Sequence, residues 1–130
     1  MAFYLDTSAL VKLVVAEPET AALRAWIESA DRDLVASDLA RTELMRAVRR
    51  VVPDRALLAR EVLESVILVE VTTAVFEEAG RLQPADLRSL DAIHLASALC
   101  LGDDLEGLVT YDQRLAEGAL ANGVEPIAPA

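Results

Sequence analysis

Cysteine, histidine and lysine each occur once in these 130 residues, at Cys100, His94 and Lys12. One cysteine cannot close an internal disulfide, and one cysteine with one histidine cannot furnish the three or four soft ligands of a zinc site. The lone thiol predicts a reducing compartment, the cytoplasm. Long hydrophobic runs are missing as well. No stretch approaches the ~20 apolar residues that span a bilayer, so no membrane association is expected. The opening run Ala2-Phe3-Tyr4-Leu5 has no basic flank and stops at Asp6, which predicts no signal peptide. Neither Gly-x-Gly-x-x-Gly nor Gly-x-x-x-x-Gly-Lys-Ser/Thr occurs, which removes the usual cradles for dinucleotides and nucleoside triphosphates. Positive charge is scarce: 12 Lys+Arg stand against 22 Asp+Glu, a net charge of −10. Such a molecule as a whole repels phosphate backbones, so any contact with nucleic acid must be local or metal-mediated.

What is present suffices for a core. At 54% hydrophobic, the chain predicts one domain over residues 1–130, with no linker or low-complexity segment. Ala2 to Leu5 reads as a strand, followed by a cap at Asp6-Thr7-Ser8 and a helix that Pro18 ends. A helix over 19–30, a strand at Leu34-Val35-Ala36 and a helix over Leu39–Val51 follow. Pro53 starts another helix, to about Ser65, before a strand at 66–69. Thr72 or Thr73 caps a helix to Leu82, and Ser89 opens one through Leu101, stopped by Gly102. Gly107 to Tyr111 reads as a strand, Asp112 caps a last helix to about Asn122, and Gly123 precedes a short edge strand around Val124. Apolar strands alternating with helices predict an α/β fold, a mainly parallel sheet covered on both faces. Ligands in such sheets bind beyond the carboxyl ends of strands, where Asp6 and Asp112 stand.

Each acid also has a structural explanation. Helix capping accounts for Asp6 and Asp112, although Ser8 could cap without Asp6. Asp91 is more telling. Its helix, Leu90 to Leu101, is apolar almost all round, with Asp91, His94 and Ser97 as one polar stripe, and a carboxylate there is costly unless paired or coordinating metal. The helix dipole after a Ser89 cap is the competing account. Glu43 falls at the border of the stripe formed by Ala40, Leu44, Ala47, Val48 and Val51, where it can reach inward or remain solvated.

Four converging acids repel unless cations sit among them, and hard oxygen ligands select Mg²⁺ or Mn²⁺. Metal-assisted phosphodiester hydrolysis needs no histidine. Between Arg41 and Arg60 six arginines meet only Glu43 and Asp54, a local +4 (6 − 2) that suits either a solvated helix face or a phosphate backbone. Asp91, His94 and Ser97 on one buried helix leave no exposed nucleophile for a hydrolase triad, so His94 reads as a satisfied interior histidine. A haloacid-dehalogenase-type phosphatase would need an Asp where Ser8 stands. Cys100 is expected in the core.

Four segments together resemble the PIN-domain nucleases, and among them the VapC toxins of bacterial toxin–antitoxin pairs. They are Leu5-Asp6-Thr7-Ser8-Ala9-Leu10, Arg41-Thr42-Glu43-Leu44, Leu90-Asp91-Ala92-Ile93-His94-Leu95-Ala96 and Leu108-Val109-Thr110-Tyr111-Asp112-Gln113-Arg114-Leu115. The resemblance implies a three-layer α/β/α domain with a short sheet of four to five strands. It implies that Asp6, Glu43, Asp91 and Asp112 bind Mg²⁺ or Mn²⁺, supported by the hydroxyls of Thr110, Thr7 and Ser8. It further implies an endoribonuclease leaving 5′-phosphate and 3′-hydroxyl ends, with transfer or ribosomal RNA among its candidate substrates. A homodimer and a cognate antitoxin that blocks the site complete that picture. Two alternatives stay open on the residues: a non-catalytic protein-binding module whose acids are caps and ion pairs, and a nuclease for DNA or structured RNA outside toxin–antitoxin function. Val11, Val14, Val15, Trp26 and Leu57 would offer a partner apolar surface unless they are core.

Overall fold

Strands of this chain are apolar on consecutive residues, and the computed structural model, which describes residues 1–130, shows why. Five strands, β1 (Ala2–Leu5), β2 (Asp33–Ser37), β3 (Ile67–Val69), β4 (Leu105–Val109) and β5 (Pro126–Ile127), form one sheet in the order β3-β2-β1-β4-β5, parallel at every pairing. Successive side chains of a strand point to opposite faces, and here both faces are covered. Leu5, Ala36 and Val109 join one cluster with α1 (Thr7–Lys12), α2 (Thr20–Glu28), α3 (Leu39–Val51) and α4 (Ala56–Glu64). Their neighbours Tyr4, Val35 and Leu108 face the other way, against α6 (Ser89–Leu99) and α7 (Gln113–Ala121). Helix α5 (Thr73–Arg81) packs on α6 through Val75, Ala79, Ala92 and Ala96. The result is the three-layer α/β/α arrangement with five strands.

The chain leaves β1 toward β2 and β3, then returns to the other side of β1 as β4. The reversal creates a crevice at the carboxyl ends of β1 and β4, the place where α/β sheets receive ligands. Leu5 pairs with Val109, and the Asp6 amide donates to the Val109 carbonyl at 3.2 Å, so Asp6 and Thr110 emerge side by side.

Several local expectations shift. Cys100 is exposed, because α6 ends at Leu99 and its terminal residues leave the core. Helix α1 stops at Lys12 rather than at Pro18, and a 3-10 turn over Pro53–Arg55 precedes α4. Strand β4 starts at Leu105 and ends at Val109, two residues early, and β5 lies at Pro126–Ile127 rather than around Val124. The N-cap position of α6 is Arg88, so Ser89 lies inside the helix. Val14 is buried, whereas Val51 and Leu57 are exposed.

Candidate active site

Asp6 ends β1 and caps α1. Its Oδ1 accepts from the Ala9 amide at 3.1 Å and from Ser8 Oγ at 2.7 Å, while its Oδ2 accepts from Thr110 Oγ1 at 2.7 Å. Both hydroxyl protons are committed to Asp6, and the hydroxyl oxygens in turn accept backbone amides, Ser8 from Tyr111 at 2.9 Å and Thr110 from Asp112 at 3.0 Å. The carboxylate is 3% exposed. Burial raises its pKa above the usual range, against the opposing pull of the Ser8 and Thr110 hydrogen bonds and the charge of His94.

Asp112 caps α7 with one oxygen only, Oδ1 accepting from the amides of Arg114 at 2.8 Å and Leu115 at 3.2 Å. The capping account of both acids is therefore correct as far as it goes. It leaves unexplained why Asp6 is wrapped by two hydroxyls, since capping α1 occupies only Oδ1.

Glu43, on the flank of α3, receives Thr7 Oγ1 at 2.6 Å on Oε1, and the same oxygen lies 2.6 Å from His94 Nε2. Both contacts fall on Oε1. Burial pushes the Glu43 pKa upward, but the His94 and Thr7 hydrogen bonds and the His94 charge outweigh it and hold the group below its ordinary value. The other ring nitrogen of His94, Nδ1, lies 2.7 Å from the hydroxyl of fully buried Tyr4, whose own pKa burial drives up. With a carboxylate at Nε2, that nitrogen carries a proton; Nδ1 accepts from the Tyr4 hydroxyl when the ring is neutral and donates to its oxygen when the ring is charged. His94 is the satisfied interior histidine that the sequence suggested. Its partner Tyr4, ninety positions away, carried no sequence signal beyond a polar atom in an apolar strand.

Asp91 sits half-buried in the first turn of α6 and makes no side-chain hydrogen bond within the protein. Burial raises its pKa, the charge of Asp112 adds to this and Glu43 contributes further, while His94 and Arg88 oppose. Asp112 and Glu43 thus both bear on Asp91, and His94 bears on Asp6, Glu43 and Asp91 alike. Thr110 and Ser8 serve Asp6, and Thr7 serves Glu43. As the side chains stand, no three Asp, Glu, His or Cys groups converge closely enough to grip a single ion. The largest surface cleft, about 530 Å³ between α3, α4 and β3, contains none of the four acids.

The sequence pattern of the PIN domain matches residues 3–120. Ribonuclease VapC46 of Mycobacterium tuberculosis H37Rv is 45% identical over 128 residues, covering 98% of both chains. Ribonuclease VapC47 of the CDC 1551 strain is 42% identical over 130 residues, covering 97% of this chain and 96% of its own. Among solved structures, M. tuberculosis VapC20, described as a sarcin–ricin loop cleaving toxin, superposes with a TM-score of 0.77 at 19% identity, covering 98% of this chain and 99% of that one. A toxin–antitoxin complex from Klebsiella pneumoniae gives 0.75 at 21% identity, covering 100% and 98%. At such identities the two structures speak for the fold, and the curated sequences for the family. The chain belongs to the PIN-domain family, in the branch that holds the VapC ribonucleases.

Proposed function

We propose that residues 1–130 act as one domain, a divalent-metal-dependent endoribonuclease that serves as the toxin of a toxin–antitoxin pair. The observation that carries this reading is that Asp6 and Asp112 cap the helices following β1 and β4 at the switch point of the sheet, while Thr7, next to Asp6, hydrogen-bonds Glu43, and His94, one turn after Asp91, contacts the same Glu43 oxygen. Glu43 Oε2, Asp112 Oδ2 and both Asp91 oxygens accept no proton from the protein. An all-oxygen donor set fits Mg²⁺ or Mn²⁺ and would not suit zinc. Family membership alongside proteins named ribonucleases supports RNA as substrate, and the toxin–antitoxin complex among the structural neighbours supports an antitoxin partner; a homodimer belongs to the same reading.

These four residues would hold the ion. When bound, it supplies charge neutralisation at the phosphate and a lower pKa for the attacking water. The chain's own contribution is rigidity. Ser8 and Thr110 fix both oxygens of Asp6, and Thr7 with His94 fixes one oxygen of Glu43, so neither carboxylate must be reoriented during reaction. Asp91, with a raised proton affinity and no partner, is the acid most in need of a cation. Hydrolysis joins the water oxygen to phosphorus and breaks the P–O3′ bond, leaving a 5′-phosphate and a 3′-hydroxyl.

The test is cleavage of single-stranded RNA, transfer RNA, ribosomal RNA and DNA with Mn²⁺, Mg²⁺ or EDTA, by wild type and Asp91→Asn. We expect metal-dependent RNA cleavage that Asp91→Asn abolishes. Cleavage that persists in EDTA or in the variant sinks the assignment, and cleavage of DNA alone overturns the choice of substrate.

A further inference from the structure

Helix α3 carries Arg46, Arg49 and Arg50 on its exposed side. None of the three has an ion-pair or hydrogen-bond partner in the protein, although the chain holds 22 carboxylates. Five other arginines are engaged, among them Arg41 with Asp38 at 2.8 Å, Arg55 with the Val14 carbonyl at 2.8 Å and Arg81 with Glu78 at 2.9 Å, while Arg60, Arg88 and Arg114 stand unpaired at scattered positions; what sets Arg46, Arg49 and Arg50 apart is that they adjoin one another on one helix. Arg46 stands three and four positions from the other two, spacings at which like charges on a helix repel. In a molecule of net charge −10, three adjacent unpaired cations are an arrangement that folding alone does not favour.

Their position relative to the acids is specific. At 3.6 residues per turn, Glu43, Arg46 and Arg50 fall within an arc of about 60°. Seven residues at 1.5 Å each carry this stripe ~10 Å along the axis from Glu43. Arg46, Arg49 and Arg50 alone line a surface hollow of about 330 Å³ that contains no hydrophobic residue.

We propose that Arg46, Arg49 and Arg50 form a track that binds the phosphodiester backbone of single-stranded RNA on its way to the acid cluster. The inference rests on the nuclease reading and assigns that site its substrate-holding surface. Guanidinium forks match phosphate oxygens bidentately, and three in a row suit a repeating anion. An acidic protein partner is the rival, but the arginines that anchor protein interfaces sit in well-packed, desolvated pockets, and this open hollow has no apolar residue to provide one. The track resolves the charge problem of an acidic nuclease, because repulsion from the whole is answered by a local stripe leading to the metal-binding acids. Phosphate contacts position a strand without reading its bases, so the track sets placement and not sequence preference.

The test is binding of a fluorescein-labelled, mixed-sequence 20-nucleotide RNA, in EDTA to prevent cleavage, at 50 to 300 mM salt. The full-length variant R46Q/R49Q/R50Q should bind at least about tenfold more weakly at 100 mM salt. Its slope of log affinity against log salt should be shallower by about 2, since each single-strand phosphate contact contributes roughly 0.7. The matched lysine variant R46K/R49K/R50K should keep most of the slope. If the glutamine variant does not fold, Arg46→Gln alone should flatten the slope by roughly 0.7. Wild-type affinity and slope in a folded glutamine variant overturn the proposal, as does failure of the wild-type protein to bind RNA at 50 mM salt. Loss of polyglutamate binding with RNA binding intact also overturns it and gives this face to an acidic protein. Failure of the nuclease reading itself shows separately, as absent metal-dependent cleavage.

Discussion

Nε2 of His94 and Oε1 of Glu43 lie 2.6 Å apart, although α6 and α3 belong to helical layers on opposite faces of the sheet. The bond closes over the carboxyl ends of β1 and β2 and ties the two layers together, with Tyr4 behind His94 and Thr7 beside Glu43. Replacing His94 with Ala removes the shared partner of two buried or half-buried groups and opens a cavity. We expect a loss of ~2–4 kcal/mol in unfolding free energy from urea titration. Tyr4→Phe, which strands only Nδ1 of His94, should cost less, about 1–2 kcal/mol. A His94→Ala protein as stable as wild type would show that the two layers do not depend on this bond.

Glu43 and the two raised acids pull stability in opposite directions with pH. The folded pKa of Glu43 is depressed, so its contribution is present above the ordinary carboxylate value and is lost as pH falls through the lower folded one. Glu43→Gln should therefore flatten the acid limb of the stability profile, measured as melting temperature between pH 3 and 6. An unchanged acid limb would mean that the pair with His94 contributes nothing to folding.

Asp6 and Asp91 bind their protons more tightly folded than unfolded. Their ionisation thus removes stability as pH rises from the ordinary carboxylate value through the raised one. Asp91→Asn should melt at a higher temperature than wild type in EDTA at neutral pH, and Asp6→Asn likewise if Thr110 can turn its hydroxyl. Added Mn²⁺ should raise the wild-type melting temperature by mass action and leave Asp91→Asn unmoved. A variant less stable than wild type in EDTA would contradict the burial argument for Asp91.

Gly107 is the one glycine whose missing side chain the packing requires. A Cβ there would stand 2.6 Å from Ile127 Cδ1 and 3.1 Å from the Glu125 carbonyl oxygen. Gly107→Ala should push β5 away from β4 at a cost of about 1–3 kcal/mol, read from chemical denaturation. Full stability would imply that the Ile127 side chain yields freely.

The architecture was legible in the sequence because its signals are local. An apolar tetrad ending in Asp6, Thr72 before a helix and Asp112 before another all act over three or four residues, and each was found in place. Periodicity alone puts Cys100 in the core, because it says nothing about where the neighbouring layer ends. The sequence pattern sets β4 two residues late because exposed Glu106 disguises an otherwise buried strand, and it misses the start of β5 because proline, tolerated at a sheet edge, hides a strand. Asp6, Glu43, Asp91 and Asp112 and the hydroxyls of Thr7, Ser8 and Thr110 stand out in the sequence, but what each of them touches does not. Whether Thr7 serves Asp6 or Glu43, and what holds His94, depends on distances between residues 36 to 90 positions apart.

The placement of β4 in the chain also governs when Asp6 and Thr110 can meet. Strand β1 pairs with β2 some thirty residues later, but Asp6 receives Thr110 only after nearly the whole chain has been made. A nascent polypeptide still emerging from the ribosome holds Asp6, Glu43 and even Asp91 while lacking both the hydroxyl that fixes the first and the fourth acid. High contact order of this kind slows folding. It also withholds the Asp6–Thr110 bond until translation is almost complete, so that fragments from premature termination upstream of residue 110 are released without it.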